Sequence, residues 1–137
     1  MLETIVSIRK GTFRTLVWSA GSGDPLLFLH GAGGLHGWPP FLEALAQSFR
    51  VIAPEHPGFG QSDGLEILDD IVDLALYYTE FMDAMGLDDP YLVGHSLGGM
   101  IGAEVAAIQP ERVSKLVLVA PDGRHPSLLP PIIEMKR

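Results

Sequence analysis

No cysteine occurs among the 137 residues, which excludes disulfides, thiolate metal sites and a cysteine nucleophile together and leaves the compartment open. Positive charge is scarce: nine Lys and Arg stand against 17 Asp and Glu, for a net charge of −8 and a pI near 4.9. A surface this acidic repels phosphate backbones, so no nucleic-acid partner is expected. Long apolar runs are missing too. A stretch such as Leu116 to Ala120 is far too short to span a bilayer, so no membrane partner is expected. The first residues, Met1-Leu2-Glu3-Thr4-Ile5, carry an early acid and no basic flank. They do not read as a signal peptide, and a cytoplasmic location is the expectation.

What is present is apolar material: 47% of residues are hydrophobic and mean hydropathy is +0.24, enough to build one domain's core. The 16 Gly and 11 Pro are scattered and act as punctuation between elements. Thr4 to Ala20 alternates and is rich in Ile, Val, Thr and Phe, with a break at Lys10-Gly11, which predicts a β-hairpin. Leu26 to Leu29, Val51 to Ala53, Tyr91 to Val93 and Val113 to Ala120 are short apolar runs of the kind buried on both faces of a parallel sheet. Between them, helices are predicted at Phe41 to Phe49 after Pro39-Pro40, at Leu68 to Met85 with Asp69 and Asp70 near its start, and at Met100 to Ile108. The loop Pro54 to Gly60 leaves no room for regular structure. Strands alternating with helices in this way define an α/β class, a mostly parallel sheet opened by an antiparallel hairpin.

Gly94-His95-Ser96-Leu97-Gly98-Gly99 falls between a strand and a helix. A Gly-x-Ser-x-Gly match alone arises in about a few per cent of random chains of this length, so the flanking strand and helix carry the weight. A sharp strand-to-helix turn lifts the serine hydroxyl above the sheet edge. Such a turn leaves no room for side chains two positions to either side. The following helix offers N–H groups to a developing oxyanion, with Leu97 first. A second donor is expected from the loop after the earlier strand, His30-Gly31-Ala32-Gly33-Gly34, at Ala32 or Gly33.

His30-Gly31-Ala32-Gly33-Gly34, Pro57-Gly58-Phe59-Gly60-Gln61-Ser62-Asp63 and the Ser96 segment, in that order and spacing, resemble the α/β-hydrolase fold superfamily. Pro110-Glu111-Arg112-Val113 followed by Leu116 to Val119 is similar to its next strand, and the resemblance runs from about Glu3 to Gly123. Glu55 stands where relatives usually carry Asp. The resemblance implies a serine hydrolase of esterase type acting on a small-molecule carbonyl substrate through an acyl-enzyme at Ser96. It needs no cofactor, and no residues show metal-ligand spacing. Cleavage of a C–C bond, a lactone or an amide is also compatible. Ser96 argues against the epoxide hydrolases and haloalkane dehalogenases, which use an Asp nucleophile. Trp38 and Phe59 are candidates to line the substrate pocket.

A serine hydroxyl needs a base, usually His oriented by a carboxylate. In this superfamily both follow the serine in the chain, after strands beyond the sixth. The resemblance therefore implies that residues 1–123 are the N-terminal part of the core, strands one to six, and that 124–137 begin a cap or lid. The C-terminal strands and helices, with the acid and the His, would lie further on, and the 137-residue chain would be truncated, inactive alone and prone to self-association. His95 is expected to pack beneath the turn, His30 to order its loop by a hydrogen bond, and His36 and His56 to sit on loops, lining the pocket or exposed. Asp122 and His125 follow the last strand; Asp122 is a minor candidate for the acid.

Two other readings compete. A non-catalytic small-molecule binding protein could share the fold. A dinucleotide-binding domain would use Gly31-Ala32-Gly33 and Glu55, but His36 occupies its third glycine position and a hairpin precedes the loop.

Overall fold

The computed structural model describes residues 1–120. The predicted hairpin is β1 (Leu2–Ile8) and β2 (Phe13–Ala20), paired antiparallel from Leu2 opposite Ser19 to Ile8 opposite Phe13. Its turn runs through Arg9, Lys10 and Gly11, all with positive φ. Then follow β3 (Pro25–Leu29), α1 (Pro40–Leu45), β4 (Arg50–Pro54), α2 (Ile71–Met85), β5 (Tyr91–His95), α3 (Leu97–Ile108) and β6 (Lys115–Val119). The six strands form one sheet in the order β1-β2-β4-β3-β5-β6. β2 joins β4 antiparallel, and the remaining pairings are parallel. This is the expected class and strand set.

The period-two alternation along each strand divides the core between two sheet faces. Leu27, Leu29, Ile52 and Leu92 point toward α2 and α3, where they meet Tyr77, Tyr78, Phe81, Ile101 and Val105. Leu26, Phe28, Val51 and Ala53 point the other way, toward Leu35 and Leu42 of the α1 side. Both faces of the central strands are therefore apolar, which is why they read as continuous hydrophobic runs.

Three helix boundaries differ from expectation by three residues or more, each for a local reason. α1 ends at Leu45 rather than Phe49, because the N–H groups of Gln47 and Ser48 turn back onto Ala44 and Leu45. That tightening swings the chain into β4, whose Arg50 N–H bonds the Asp24 carbonyl at 3.0 Å. α2 begins at Ile71 rather than Leu68: Asp70 is its N-cap and accepts from the Asp73 N–H at 2.9 Å, stopping the helix there. Leu65–Ile67 forms a separate 3-10 turn. α3 starts at Leu97, three residues earlier than Met100, because the Ser96 carbonyl already accepts from Gly99 and Met100. Of the two domain ranges expected, the end of the first and all of 124–137 lie outside the described residues.

Candidate active site

Ser96 closes β5 and caps α3 with φ 53° and ψ −115°, a conformation L-residues avoid at a cost of order 1–3 kcal/mol. The surroundings over-determine it. The Ser96 N–H donates to the Val119 carbonyl at 3.0 Å, and its own carbonyl takes the Gly99 and Met100 N–H groups at 2.9 and 3.2 Å. The neighbouring glycines are required by contact. A Cβ on Gly98 would stand 1.9 Å from the Leu29 carbonyl oxygen, and one on Gly94 would stand 2.3 Å from the Gly98 oxygen. The crowding expected two residues to either side of Ser96 is what the structure holds.

A serine at an N-cap ordinarily turns its hydroxyl onto the helix. The Ser96 hydroxyl makes no such bond, so it is free for another partner. No acidic residue occupies the first turn of α3, so the positive end of the helix dipole is uncompensated beside Ser96.

The loop after β3 packs directly on this turn. A Cβ on Gly31 would lie 3.3 Å from Ser96 Cβ and 3.2 Å from His95 Nδ1. The loop closes on itself through the Gly34 N–H, which donates to the Gly31 carbonyl at 3.1 Å. Among the described residues neither Ala32 nor Gly33 gives its N–H to a protein acceptor, and both residues are exposed.

The histidines distribute unequally. His30 is buried and orders its loop, as expected: its Nδ1 meets the Gly31 carbonyl at 2.6 Å. His56 is a correction. It is neither exposed nor pocket-lining but wholly buried, its ring 3.7 Å from that of His30 centroid to centroid. The loop Pro54–Gly60 folds inward because its polar groups find partners there, and Tyr78 supplies one of them for the His56 ring. Burial lowers the His30 imidazole and pulls that of His56 down to about 3, with the neighbouring His30 a lesser cause for His56. His95 is the second correction. As the last residue of β5, on the same face as Tyr91 and Val93, it is exposed rather than packed beneath the turn. His36 is exposed and bonds the Gly33 carbonyl through Nε2.

Trp38 is half-buried, donates from Nε1 to Glu43 at 2.7 Å and packs on the α1-side core. Phe59 is half-buried and stands edge-on to His30 and His56 at 5.1 and 5.6 Å. Glu55 accepts from the Trp18 indole at 3.2 Å and is buried, so its carboxylate is not presented to a ligand as a ribose-binding acid would be. Asp122 and His125 lie outside the described residues. Tyr78 is the site neighbour that the sequence did not single out. Its signal was a tyrosine on the apolar face of α2, since a buried phenol needs a polar partner.

A strained serine at a strand-to-helix turn, faced by a glycine-rich loop on a mostly parallel sheet, defines a class of catalytic scaffold. Comparison with known proteins agrees: the sequence profile of the alpha/beta hydrolase fold matches residues 24–136. The chain belongs to that family. It is 37% identical over 127 residues to a 2-hydroxy-6-oxo-6-phenylhexa-2,4-dienoate hydrolase of Burkholderia cepacia, covering 88% of this chain and 44% of that protein. It is 39% identical over 118 residues to a 2-hydroxymuconate semialdehyde hydrolase of a Pseudomonas species, covering 80% and 41%. The crystal structure of naproxen esterase from Bacillus subtilis superposes with a TM-score of 0.81 at 25% identity, over 88% of this chain and 43% of the esterase. The chain thus spans less than half the length of these relatives. Among the described residues no helix is long and apolar enough to cross a membrane.

Proposed function

We propose that Ser96 is the nucleophile of a serine hydrolase that cleaves a small-molecule carbonyl substrate, a carboxylic ester in the first instance. The observation that carries this reading is the backbone of Ser96, held at φ 53° with its hydroxyl not spent on capping α3. The Ser96 oxygen attacks the carbonyl carbon while a base takes its proton. The resulting oxyanion is held by the N–H of Leu97 and by that of Ala32 or Gly33. Collapse expels the leaving group, which receives the proton, and leaves an acyl-enzyme. Water then attacks the acyl carbon, the base takes one of its protons, and the acid product leaves with Ser96 restored.

None of the four histidines in 1–120 is proposed as the base. His30 and His56 commit both ring nitrogens to neighbours, His36 is tied to the Gly33 carbonyl, and His95 lies on the α1 face of the sheet. We place the base and its orienting acid outside the described residues. Phe59 and Trp38 are proposed to border the substrate. The C–C hydrolases among the relatives favour a second reading, in which the bond broken lies beside a ketone rather than an ester.

Fluorophosphonate labelling of the full-length gene product tests the proposal. Adduct formation at Ser96, abolished in Ser96→Ala, with turnover of p-nitrophenyl esters is the expected result. A folded protein that leaves Ser96 unlabelled would overturn it and favour a non-catalytic binder. Labelling together with turnover of a vinylogous 1,5-diketone acid but not of esters selects the second reading.

A further inference from the structure

The oxyanion loop has no regular secondary structure, yet an oxyanion donor works only if held within about 0.5 Å of its productive position. Its restraint can be traced bond by bond. The His56 backbone N–H donates to His30 Nε2 at 2.9 Å. A backbone N–H can only donate, so His30 Nε2 is the unprotonated nitrogen. His30 Nδ1 therefore carries the hydrogen and donates it to the Gly31 carbonyl at 2.6 Å. In the other ring, His56 Nε2 lies 2.7 Å from the His30 carbonyl, which can only accept. His56 Nε2 is then protonated, leaving Nδ1 to accept the Tyr78 hydroxyl hydrogen.

The chain of donors runs from Tyr78 on α2 through His56 and His30 to one peptide group, and each ring position has a single self-consistent assignment. That peptide group joins Gly31 to Ala32. Its carbonyl is gripped by two donors, His30 Nδ1–H and the Gly34 N–H. A trans peptide is planar, with N–H and C=O opposed. Fixing the Gly31 carbonyl thus fixes the Ala32 N–H to point the opposite way. The peptide between Ala32 and Gly33 has no such grip on its carbonyl among the described residues.

We propose that Tyr78 and His56 are positioning residues that act through His30 to aim the Ala32 N–H, which selects Ala32 over Gly33 as the second oxyanion donor. The kinetic arm of the test rests on the reading of Ser96 as nucleophile; the spectroscopic arm does not. The variant is Tyr78→Phe, which removes one hydroxyl and keeps the ring. The control is Tyr77→Phe, an equally buried neighbour whose hydroxyl pairs with Thr15 on β2 and not with the loop.

In the full-length protein, Tyr78→Phe is expected to lower kcat on p-nitrophenyl acetate roughly tenfold with KM unchanged, because a mis-aimed donor is lost mainly in the transition state. Tyr77→Phe is expected to keep kcat while losing comparable thermal stability. In nitrogen-15 histidine spectra, the wild type should show His30 as the Nδ1–H tautomer and His56 as the Nε2–H tautomer. Tyr78→Phe should disturb the His56 signature and shift the Ala32 amide more than that of Gly33. A folded, active Tyr78→Phe with undiminished kcat would overturn the proposal. So would opposite tautomers in the wild type, whether or not the protein turns over esters.

Discussion

At the residue scale, the two buried imidazoles determine how this domain meets acid. A native His56 held down to about 3 by burial binds fewer protons than the same side chain unfolded, whose value is near 6.5. Above about pH 7 both states are neutral and nothing is at stake. As pH falls through 6.5 the unfolded chain takes up the proton and the native chain refuses it, so stability declines. His56 alone removes about 2 kcal/mol between pH 7 and pH 5. His30, lowered chiefly by burial, adds to the loss in the same direction, tempered by its bond to the Gly31 carbonyl and then by the charge of Glu55, and reinforced by His36. Urea denaturation at pH 7, 6 and 5 should show this slope. His36→Gln, at an exposed position, should leave it nearly intact. A denaturation midpoint that holds constant over that range would show that the two rings are not buried neutral.

At the element scale, α3 and its turn separate glycines that are indispensable from one that is not. Gly98→Ala drives a methyl into the Leu29 backbone at 1.9 Å, and Gly94→Ala into that of Gly98 at 2.3 Å. Backbone cannot retreat as a side-chain tip can, so each should cost at least about 1–3 kcal/mol and abolish labelling of Ser96. Gly102, one turn further on, would meet only the Leu116 and Leu92 side chains, at 3.4 Å and beyond. Gly102→Ala should be neutral or stabilising by up to about 1 kcal/mol, from helix propensity. Chemical denaturation of the three variants checks the contrast; equal losses at all three would remove the steric account of the motif. These contacts also explain what could be read before the fold was known. The strands, their parallel class and the Ser96 turn were legible because each is written in consecutive residues: apolar runs, and a Gly-x-Ser-x-Gly between them. The end of α1 was not, since the stretch stays helix-compatible to Phe49 and no residue in it announces that the Gln47 and Ser48 N–H groups turn back onto Ala44 and Leu45. Nor was the fate of His56, which is decided by Tyr78, 22 residues away. No local pattern announces that a loop histidine will be met by a phenol from a helix.

At the scale of the whole molecule, the sheet is covered unequally among the described residues. α2 and α3 close one face, while on the other the six residues of α1 leave a cavity of about 980 Å³. Its floor and walls include Phe28, Phe41, Tyr91, Val93, Val117 and Val119. Val117 and Val119 are 51% and 45% exposed, and β6 pairs only with β5 among the described residues. A parallel strand is ordinarily buried on both faces, and an unpaired apolar edge is a template for another chain. The 137-residue polypeptide, expressed by itself, is therefore expected to self-associate. It should elute ahead of its 14.8 kDa monomer mass and enhance the fluorescence of an apolar-surface dye. The double substitution Val117→Lys with Val119→Lys places two ammonium groups on that face and edge, and should shift the population to monomer with less dye bound. General solubility would not account for such a shift, because two added lysines bring the net charge of −8 nearer to neutrality, which by itself promotes association. A wild-type chain that runs as a sharp monomer without binding dye would show that this face is covered after all.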